Sequence, residues 1–319
     1  MNKAELLFYP SDAGLRFLPE GPYPMGDGRF SWVAIQHGGS SKVGSVNVFD
    51  LRTKTNTTHE LPGRPGFAFP TNKGRFVVGC ERMVGLFTPG TSEFQVIAQG
   101  IDEHVSGTII NDGLTWDGNL IFGTKDLEFK TKKASLNFWR ARDQKLFVLR
   151  NDQICSNGKC IAATGPDWID LLDIDSPTRK VVKYRINTEV GRIESEKTVV
   201  DLSHDEAVPD GMTMTLDGKS VIISLYNPNP AAYGRTIQVS LETGALETEW
   251  CTDGSPQATC PQWVTLDGNL WLVITTAVEF MPADRQAASP HAGGLFAVPF
   301  GKLQDSQSFE RITPLFIES

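Results

Sequence analysis

The sequence lacks several features that would assign a function directly. It has no apolar run near the roughly 18 residues that span a membrane, and residues 1–8 show no signal-peptide pattern. With 30 Lys and Arg against 38 Asp and Glu, it also has no basic excess for binding nucleic acid. We therefore expect a cytoplasmic protein whose partner is neither a membrane nor a nucleic acid.

Common catalytic and cofactor motifs are absent as well. The chain has no Gly-x-Ser-x-Gly nucleophile elbow, no P-loop, no His-Glu-x-x-His pair and no dinucleotide fingerprint after a strand. Its five cysteines do not combine with histidines at zinc-finger spacing. Without a secretory signal, we expect these thiols to be reduced.

What the sequence does contain is a repeat of about fifty residues. At most of its positions, Asp-Gly or Lys-Gly is followed by an apolar run, and Asp-Gly favours the positive φ angles of a tight two-residue hairpin. A period of this length with several short strands per unit is typical of a β-propeller. The sequence therefore predicts an all-β fold, one six-bladed β-propeller domain over residues 1–319. The repeat positions are Asp27, Lys73, Asp117, Asp167, Asp217 and Asp267.

Polar residues precede four of these turns at similar distances. Glu20, Asn111, Asn157 and Asp210 lie six to ten residues before their repeat positions. Each is an ordinary turn residue by itself, but equivalent positions in a propeller repeat face the central axis together. Two carboxylates and two amide oxygens form an oxygen-only ligand set, which suits Ca²⁺, Mg²⁺ or Mn²⁺ and can accept Zn²⁺. We expect one divalent metal ion there, with Asp210 or Asp112 as the base.

Short motifs across most of the chain point to a known family. In order they are Glu20-Gly21-Pro22, Asn111-Asp112-Gly113 with Phe122-Gly123-Thr124, Asn157-Gly158 with Asp175-Ser176, Pro209-Asp210-Gly211-Met212, Thr275-Thr276-Ala277 and Ala292-Gly293-Gly294-Leu295-Phe296. Together they resemble the senescence-marker-protein/regucalcin/gluconolactonase group of six-bladed propellers.

The resemblance implies both a metal site and a reaction. Glu20, Asn157 and Asp210 would hold the metal, with Ca²⁺ favoured, and Asn111 would reach the metal region or the substrate. The Asp210 position is the family's proposed general base, so Asp210 and Asn111 are the expected catalytic residues. Hydrolysis of a lactone is the usual reaction, in which the metal polarises the carbonyl and stabilises the oxyanion.

The expected substrate wall departs from the family pattern. Ile109 stands where sugar lactonases often have Arg, and Lys125 stands where Met is common. We expect the wall to contain Asn111, Ile109, Asp112 and His104. The sequence thus favours a gluconolactonase-like, metal-dependent hydrolase of a lactone or ester, either sugar-type or less polar.

Two alternatives to lactone hydrolysis remain open at this stage. One is other metal-assisted chemistry on the same scaffold, such as phosphoester hydrolysis or a lyase reaction. The other is a calcium-binding regulatory propeller without turnover. In either case we expect residues 126–139, which include three lysines, to form a long loop over one mouth of the propeller.

Overall fold

The fold is all-β, as the sequence predicts. A computed structural model describes residues 2–26 and 28–318. Asp27, which starts the first predicted turn, lies outside the described residues. Within these ranges the chain forms 24 strands, two short α-helices and three 3₁₀ turns. The strands are rich in Val, Ile, Phe and Trp, which fit a pleated and half-buried surface.

Most of the strands pair in antiparallel sets of four that follow chain order. The first strand, β1 (Asn2–Phe8), is the exception and pairs with strands from the end of the chain. The next sixteen strands form four separate sheets. These are β2 (Pro19–Gly26), β3 (Arg29–Ala34), β4 (Gly44–Asp50) and β5 (Thr55–Leu61); β6 (Pro65–Pro70), β7 (Phe76–Cys80), β8 (Met83–Phe87) and β9 (Phe94–Ala98); β10 (Thr108–Trp116), β11 (Asn119–Asp126), β12 (Ala134–Arg140) and β13 (Lys145–Gln153); and β14 (Ser156–Thr164), β15 (Trp168–Asp175), β16 (Lys180–Asn187) and β17 (Arg192–Asp201).

The remaining strands share one eight-stranded sheet in the order β18-β19-β20-β21-β1-β24-β23-β22. In this sheet β1 pairs in parallel with β21 and antiparallel with β24. The N-terminal strand therefore completes the last set of four and joins it to the set before. The strands and the two helices are β18 (Val208–Met214), β19 (Ser220–Tyr226), β20 (Tyr233–Ser240), β21 (Leu246–Asp253), β22 (Ala258–Leu266), β23 (Asn269–Thr276), α1 (Ala283–Ala287), β24 (Leu295–Lys302) and α2 (Ser306–Ile312).

Five of the six predicted turns, those at Lys73, Asp117, Asp167, Asp217 and Asp267, connect the first and second strands of their sets. Asp117 and Gly118 have φ angles of 49° and 71°, and Asp267 and Gly268 have 50° and 71°. Both pairs therefore have the two positive φ angles of a tight hairpin. The turn at Asp217 is wider, because β18 ends at Met214 and β19 begins at Ser220.

The first strands of the sets contact one another in a ring, in which β2 contacts β6, then β10, β14, β18 and β22 follow, and β22 contacts β2. Apolar side chains fill the space between neighbouring sheets. For example, Phe67, Phe69 and Ile110 pack with Phe122. This arrangement is consistent with a β-propeller, and it brings the beginnings of the first strands together.

The expected long loop is shorter than the sequence predicted. Only residues 127–133 form the connection, because β12 takes up residues 134–140. All seven residues of β12 are buried, and the apolar ones among them stabilise the strand in spite of the nearby lysines.

The cysteines and the helices complete the description of the fold. All five cysteines are free thiols with buried side chains. Among the described residues, no helix has the length and apolar character needed to cross a membrane.

Candidate metal and substrate site

The four polar residues singled out by the repeat line one cavity of about 670 Å³. Glu20 comes from β2, Asn111 from β10, Asn157 from β14 and Asp210 from β18. Each side chain belongs to a residue that is less than a tenth exposed. The volume falls within the range of small-molecule sites. The cavity is therefore large enough for a small-molecule ligand, and it contains a cluster of oxygen donors.

Irregular strand pairing directs these side chains into the cavity. The register of each first strand shifts at or beside the residue concerned: after Glu20, at Asn111, after Asn157 and at Asp210. A β-bulge of this kind bends a strand and re-aims its side chains. Next to Asp210, a Cβ on Gly211 would lie only 2.5 Å from the Sγ of a neighbouring strand's cysteine, so glycine lets the two strands approach.

The two amide side chains are fixed by hydrogen bonds that engage their N–H groups. The Nδ2 of Asn111 donates to the backbone oxygen of Ser156 and to the Oδ1 of Asn157, both at 3.0 Å. The Nδ2 of Asn157 donates to the Oγ of Ser176 at 3.0 Å, and that hydroxyl donates to the backbone oxygen of Pro209 at 2.7 Å. Because the N–H groups are engaged, both amides offer acceptor oxygens to a ligand.

The two carboxylates have few hydrogen-bond donors around them. Among the described residues, the one hydrogen bond that the Glu20 carboxylate accepts comes from the backbone N–H of Gly21, at 3.0 Å. Over residues 2–26 and 28–318, no donor lies within hydrogen-bond distance of the Asp210 carboxylate, and neither acid has an ion-pair partner. Burial raises the pKa of Glu20 well above its usual value, and the charges of Asp210 and Asp112 raise it further. Burial likewise raises the pKa of Asp210, although the Lys125 ammonium acts against this.

This donor set fits a divalent cation. Buried carboxylates without partners are costly, and two of them balance the charge of one such ion. No group of three or more His, Cys, Asp or Glu side chains that could hold a metal occurs in the described part of the chain. An ion at this position would therefore depend on the amide oxygens of Asn157 and Asn111 as well as on Glu20 and Asp210.

Three residues that were expected in the substrate wall lie elsewhere. Ile109 is 1% exposed and packs in a core cluster, and His104 lies exposed in the turn before β10; neither lines the 670 Å³ cavity. Asp112 lines a second cavity of about 60 Å³ together with Lys159 and Cys160. Of the four residues expected in the substrate wall, only Asn111 lines the larger cavity.

Several lining residues were missed or not given a role by the sequence analysis. Lys125 and Glu279 are both buried in the cavity wall, with 3.9 Å between Nζ and Oε1. The backbone oxygen of Glu279 accepts from the hydroxyl of Tyr226 at 2.7 Å and from the amide of Gln257 at 2.9 Å. Lys125 could have been noticed in the sequence because it departs from the family pattern. The other lining residues lie far from the repeat positions, so nothing in the sequence indicated them.

Comparison with known proteins identifies related sequences over most of the chain. A family model described as SMP-30/Gluconolactonase/LRE-like region matches residues 18–278. YvrE of Bacillus subtilis, provisionally named a sugar lactone lactonase, is 25% identical over 288 residues, which cover 87% of this chain and 89% of YvrE. The L-arabinolactonase of Azospirillum brasilense is 27% identical over 72% of each chain.

A solved structure supports the fold. The calcium-binding protein regucalcin from Agrobacterium tumefaciens superposes with a TM-score of 0.79, and the match covers 99% of this chain and 97% of that one. The two sequences are 18% identical, so this likeness bears on the fold alone.

Proposed function

The chain belongs to the SMP-30/gluconolactonase/LRE-like family, and we propose on this premise that it is a metal-dependent hydrolase that opens a lactone ring. The proposal takes the sheets as one six-bladed propeller over residues 1–319, with the site on its axis. The observation that carries it is the pair of buried carboxylates, Glu20 and Asp210, which share a cavity with two amide oxygens and have no ion-pair partner in residues 2–26 or 28–318.

Glu20, Asn157 and Asp210 would hold the metal, with the oxygen of Asn111 available to the metal or to the substrate. Ca²⁺ is favoured because the donors are all oxygens and two are carboxylates, and Mg²⁺, Mn²⁺ or Zn²⁺ are alternatives. A bound divalent cation supplies positive charge that polarises a carbonyl and lowers the pKa of water.

The protein side chains then have separate tasks in ring opening. Asp210, which accepts no hydrogen bond within residues 2–26 and 28–318, takes a proton from the attacking water as general base. The water oxygen bonds to the carbonyl carbon, the ring C–O bond breaks, and the departing ring oxygen takes up the proton that Asp210 accepted, which gives a hydroxy acid and regenerates the carboxylate. Ser176 holds Asn157 in place by linking its amide to the backbone of the strand that carries Asp210.

Substitution of Asp210 tests this function. We expect Asp210→Asn to lower kcat/KM for lactones by roughly 10²- to 10⁴-fold, the usual contribution of a general base, and to weaken metal binding measured by calorimetry. Asp167→Asn is the matched control, because Asp167 is an exposed repeat residue outside the cavity, and it should leave both quantities unchanged. Wild-type turnover in Asp210→Asn would refute the assignment.

A calcium-binding role without turnover is the second candidate. It is favoured by the all-oxygen donor set of two carboxylates and two amides, which suits Ca²⁺. Tight calcium binding by wild-type protein, with no hydrolysis of any lactone, ester or phosphoester supplied, would support this candidate over the hydrolase.

A further inference from the structure

Two exposed phenylalanines stand at the mouth of the 670 Å³ cavity. Phe129 lies in the turn between β11 and β12, and Phe280 lies in the turn after β23. They are 39% and 68% exposed, both line the cavity, and their rings meet edge to face at a centroid distance of 6.3 Å. Two aromatic rings held together in solvent at a cavity mouth offer a contact surface to an incoming apolar group.

The backbone at both phenylalanines is in an unfavourable conformation. Their φ angles are 53° and 54°, in the left-handed region that bulky residues rarely adopt. Such conformations persist only where the surroundings impose them, and they cluster at ligand sites.

Separate hydrogen-bond networks hold the two turns in this conformation. The buried carboxylate of Asp126 accepts from the backbone N–H groups of residues 128, 130 and 131, and pairs with the Lys133 ammonium at 2.9 Å. In the other turn, Tyr226 and Gln257 donate to the backbone oxygen of Glu279, the residue just before Phe280.

A buried ammonium lies near the Phe129 ring. The Lys125 side chain is 4% exposed, and its Nζ lies 5.6 Å from the centre of the Phe129 ring and 3.9 Å from Glu279. Over the described residues, no acceptor lies within hydrogen-bond distance of this Nζ. A buried ammonium with unused N–H groups favours a ligand that brings an acceptor oxygen.

Resting on the lactone-hydrolase function proposed above, we propose that Phe129, Phe280 and Lys125 form an apolar-substituent subsite. The two rings would take an aryl or alkyl substituent of the lactone, while Lys125 donates to an acceptor oxygen of the same substrate. The substrate class is then a lactone with an apolar substituent, and not a polyhydroxylated sugar lactone.

Apolar side chains in the lining of the same cavity support that choice. They are Leu18, Ile35, Val208 and Pro228, and they share the lining with polar residues such as Ser176, Thr178 and Arg179. The four apolar side chains cannot pair with sugar hydroxyls, and an unpaired hydroxyl is costly to bury. An aryl or alkyl group has no hydrogen bonds to lose when it is buried, and it gains contact with the two rings.

The test compares glycine variants on two lactones of equal ring size. Phe129→Gly and Phe280→Gly keep the positive φ angle, which glycine accepts without strain. The matched control is Gln144→Gly, because Gln144 is also exposed, has a φ angle of 53° and lies outside the cavity. The substrates are δ-valerolactones carrying either a phenyl or a hydroxyl substituent at the same carbon, and the readout is the ratio of their kcat/KM values.

We expect wild-type protein to prefer the phenyl lactone. Each Phe variant should reduce the ratio roughly two- to tenfold, as expected for loss of an aromatic contact, and should not lower the melting temperature. Gln144→Gly should leave the ratio unchanged, and Lys125→Met should lower kcat/KM for both lactones. A wild-type preference for the hydroxyl lactone, or an unchanged ratio in both Phe variants, would overturn the subsite.

Binding of unreactive analogues separates this proposal from the proposed function. The phenyl and hydroxyl δ-valerolactams are titrated into the full-length wild-type and variant proteins by calorimetry. If no lactone is hydrolysed but the phenyl lactam still binds more tightly, and loses this advantage in the Phe variants, the subsite stands without the hydrolase. Equal binding of the two lactams would overturn the subsite, whatever the turnover.

Discussion

Lys159 and Asp173 form a buried ion pair whose removal should destabilise the protein in a pH-dependent way. Their side chains are 0% and 1% exposed, with 3.3 Å between Nζ and Oδ1. Lys159 also donates to the backbone oxygen of Asn157 at 2.6 Å. In Lys159→Met the Asp173 carboxylate loses its cation, and breaking one partner of a buried pair costs about 3–5 kcal/mol.

The sign of the pH dependence follows from Asp173. Burial raises its pKa to about 6, against the opposing effects of Lys159 and Gln153. The pKa of Asp173 in the folded protein is thus above the value of about 3.9 in the unfolded chain. Protonation of Asp173 therefore stabilises the folded protein fully below about pH 4, and this stabilisation is lost as the pH rises through 6. In the wild-type protein that loss is worth about 3 kcal/mol, at 1.36 kcal/mol per pKa unit. Without Lys159 the pKa rises further, so the variant should lose most above pH 7 and less at pH 5.

Urea unfolding at pH 5 and pH 8 measures both effects. The control is Lys180→Met, because the pair of Lys180 with Asp201 spans 3.9 Å with side chains 42% and 51% exposed, and such pairs contribute less than about 1 kcal/mol. If Lys159→Met is no less stable than Lys180→Met at pH 8, or if its loss is the same at both pH values, the reasoning about the buried pair is refuted.

Two further carboxylates should show the opposite pH dependence. For Asp126, burial is outweighed by the Lys133 ammonium and backbone N–H groups, which hold its pKa well below the usual range. Asp126→Asn should cost about 2–4 kcal/mol at pH 7. In urea unfolding this cost should begin to shrink as the pH falls below about 4 and should continue to shrink as the pH falls towards the lower pKa of the folded state. For Glu318, the effect of burial is outweighed by Arg75 and Thr71, which lower its pKa. Glu318→Gln should lower the free energy of unfolding by about 1–3 kcal/mol and should speed proteolysis near the C-terminus. Equal proteolysis rates in the variant and the wild-type protein would contradict this.

The hairpins were predictable because their signals are local. The Asp-Gly pairs that begin at residues 117 and 267 both have the two positive φ angles of a tight hairpin. Two adjacent residues are therefore enough to predict each turn. The position of β1 was not predictable in this way, because it pairs with strands about 250 residues away and such pairing depends on the whole sheet. The strand at residues 134–140 was missed because its burial between sheets overrides a locally polar context.

The site could be predicted only in part. Glu20, Asn111, Asn157 and Asp210 share a phase of the repeat, so their arrival in one cavity follows from symmetry. Ile109 was expected in the substrate wall because it stands where sugar lactonases often have Arg, but it packs in a core cluster. The register of its strand shifts between residues 110 and 112, so its position could not be read from that of Asn111. Phe129 and Phe280 lie in connections outside the repeat, where sequence periodicity carries no information.

Lactone hydrolysis by metal-stripped wild-type protein, before and after restoring Ca²⁺, is the most direct test of the central claim. The substrates should include the phenyl and hydroxyl δ-valerolactones, with Mg²⁺, Mn²⁺ and Zn²⁺ as further additions. The account predicts negligible turnover without metal and recovery on titration of one equivalent of Ca²⁺ or another of these ions. Full turnover by the stripped protein, or no turnover with any ion that calorimetry shows to be bound, would contradict it.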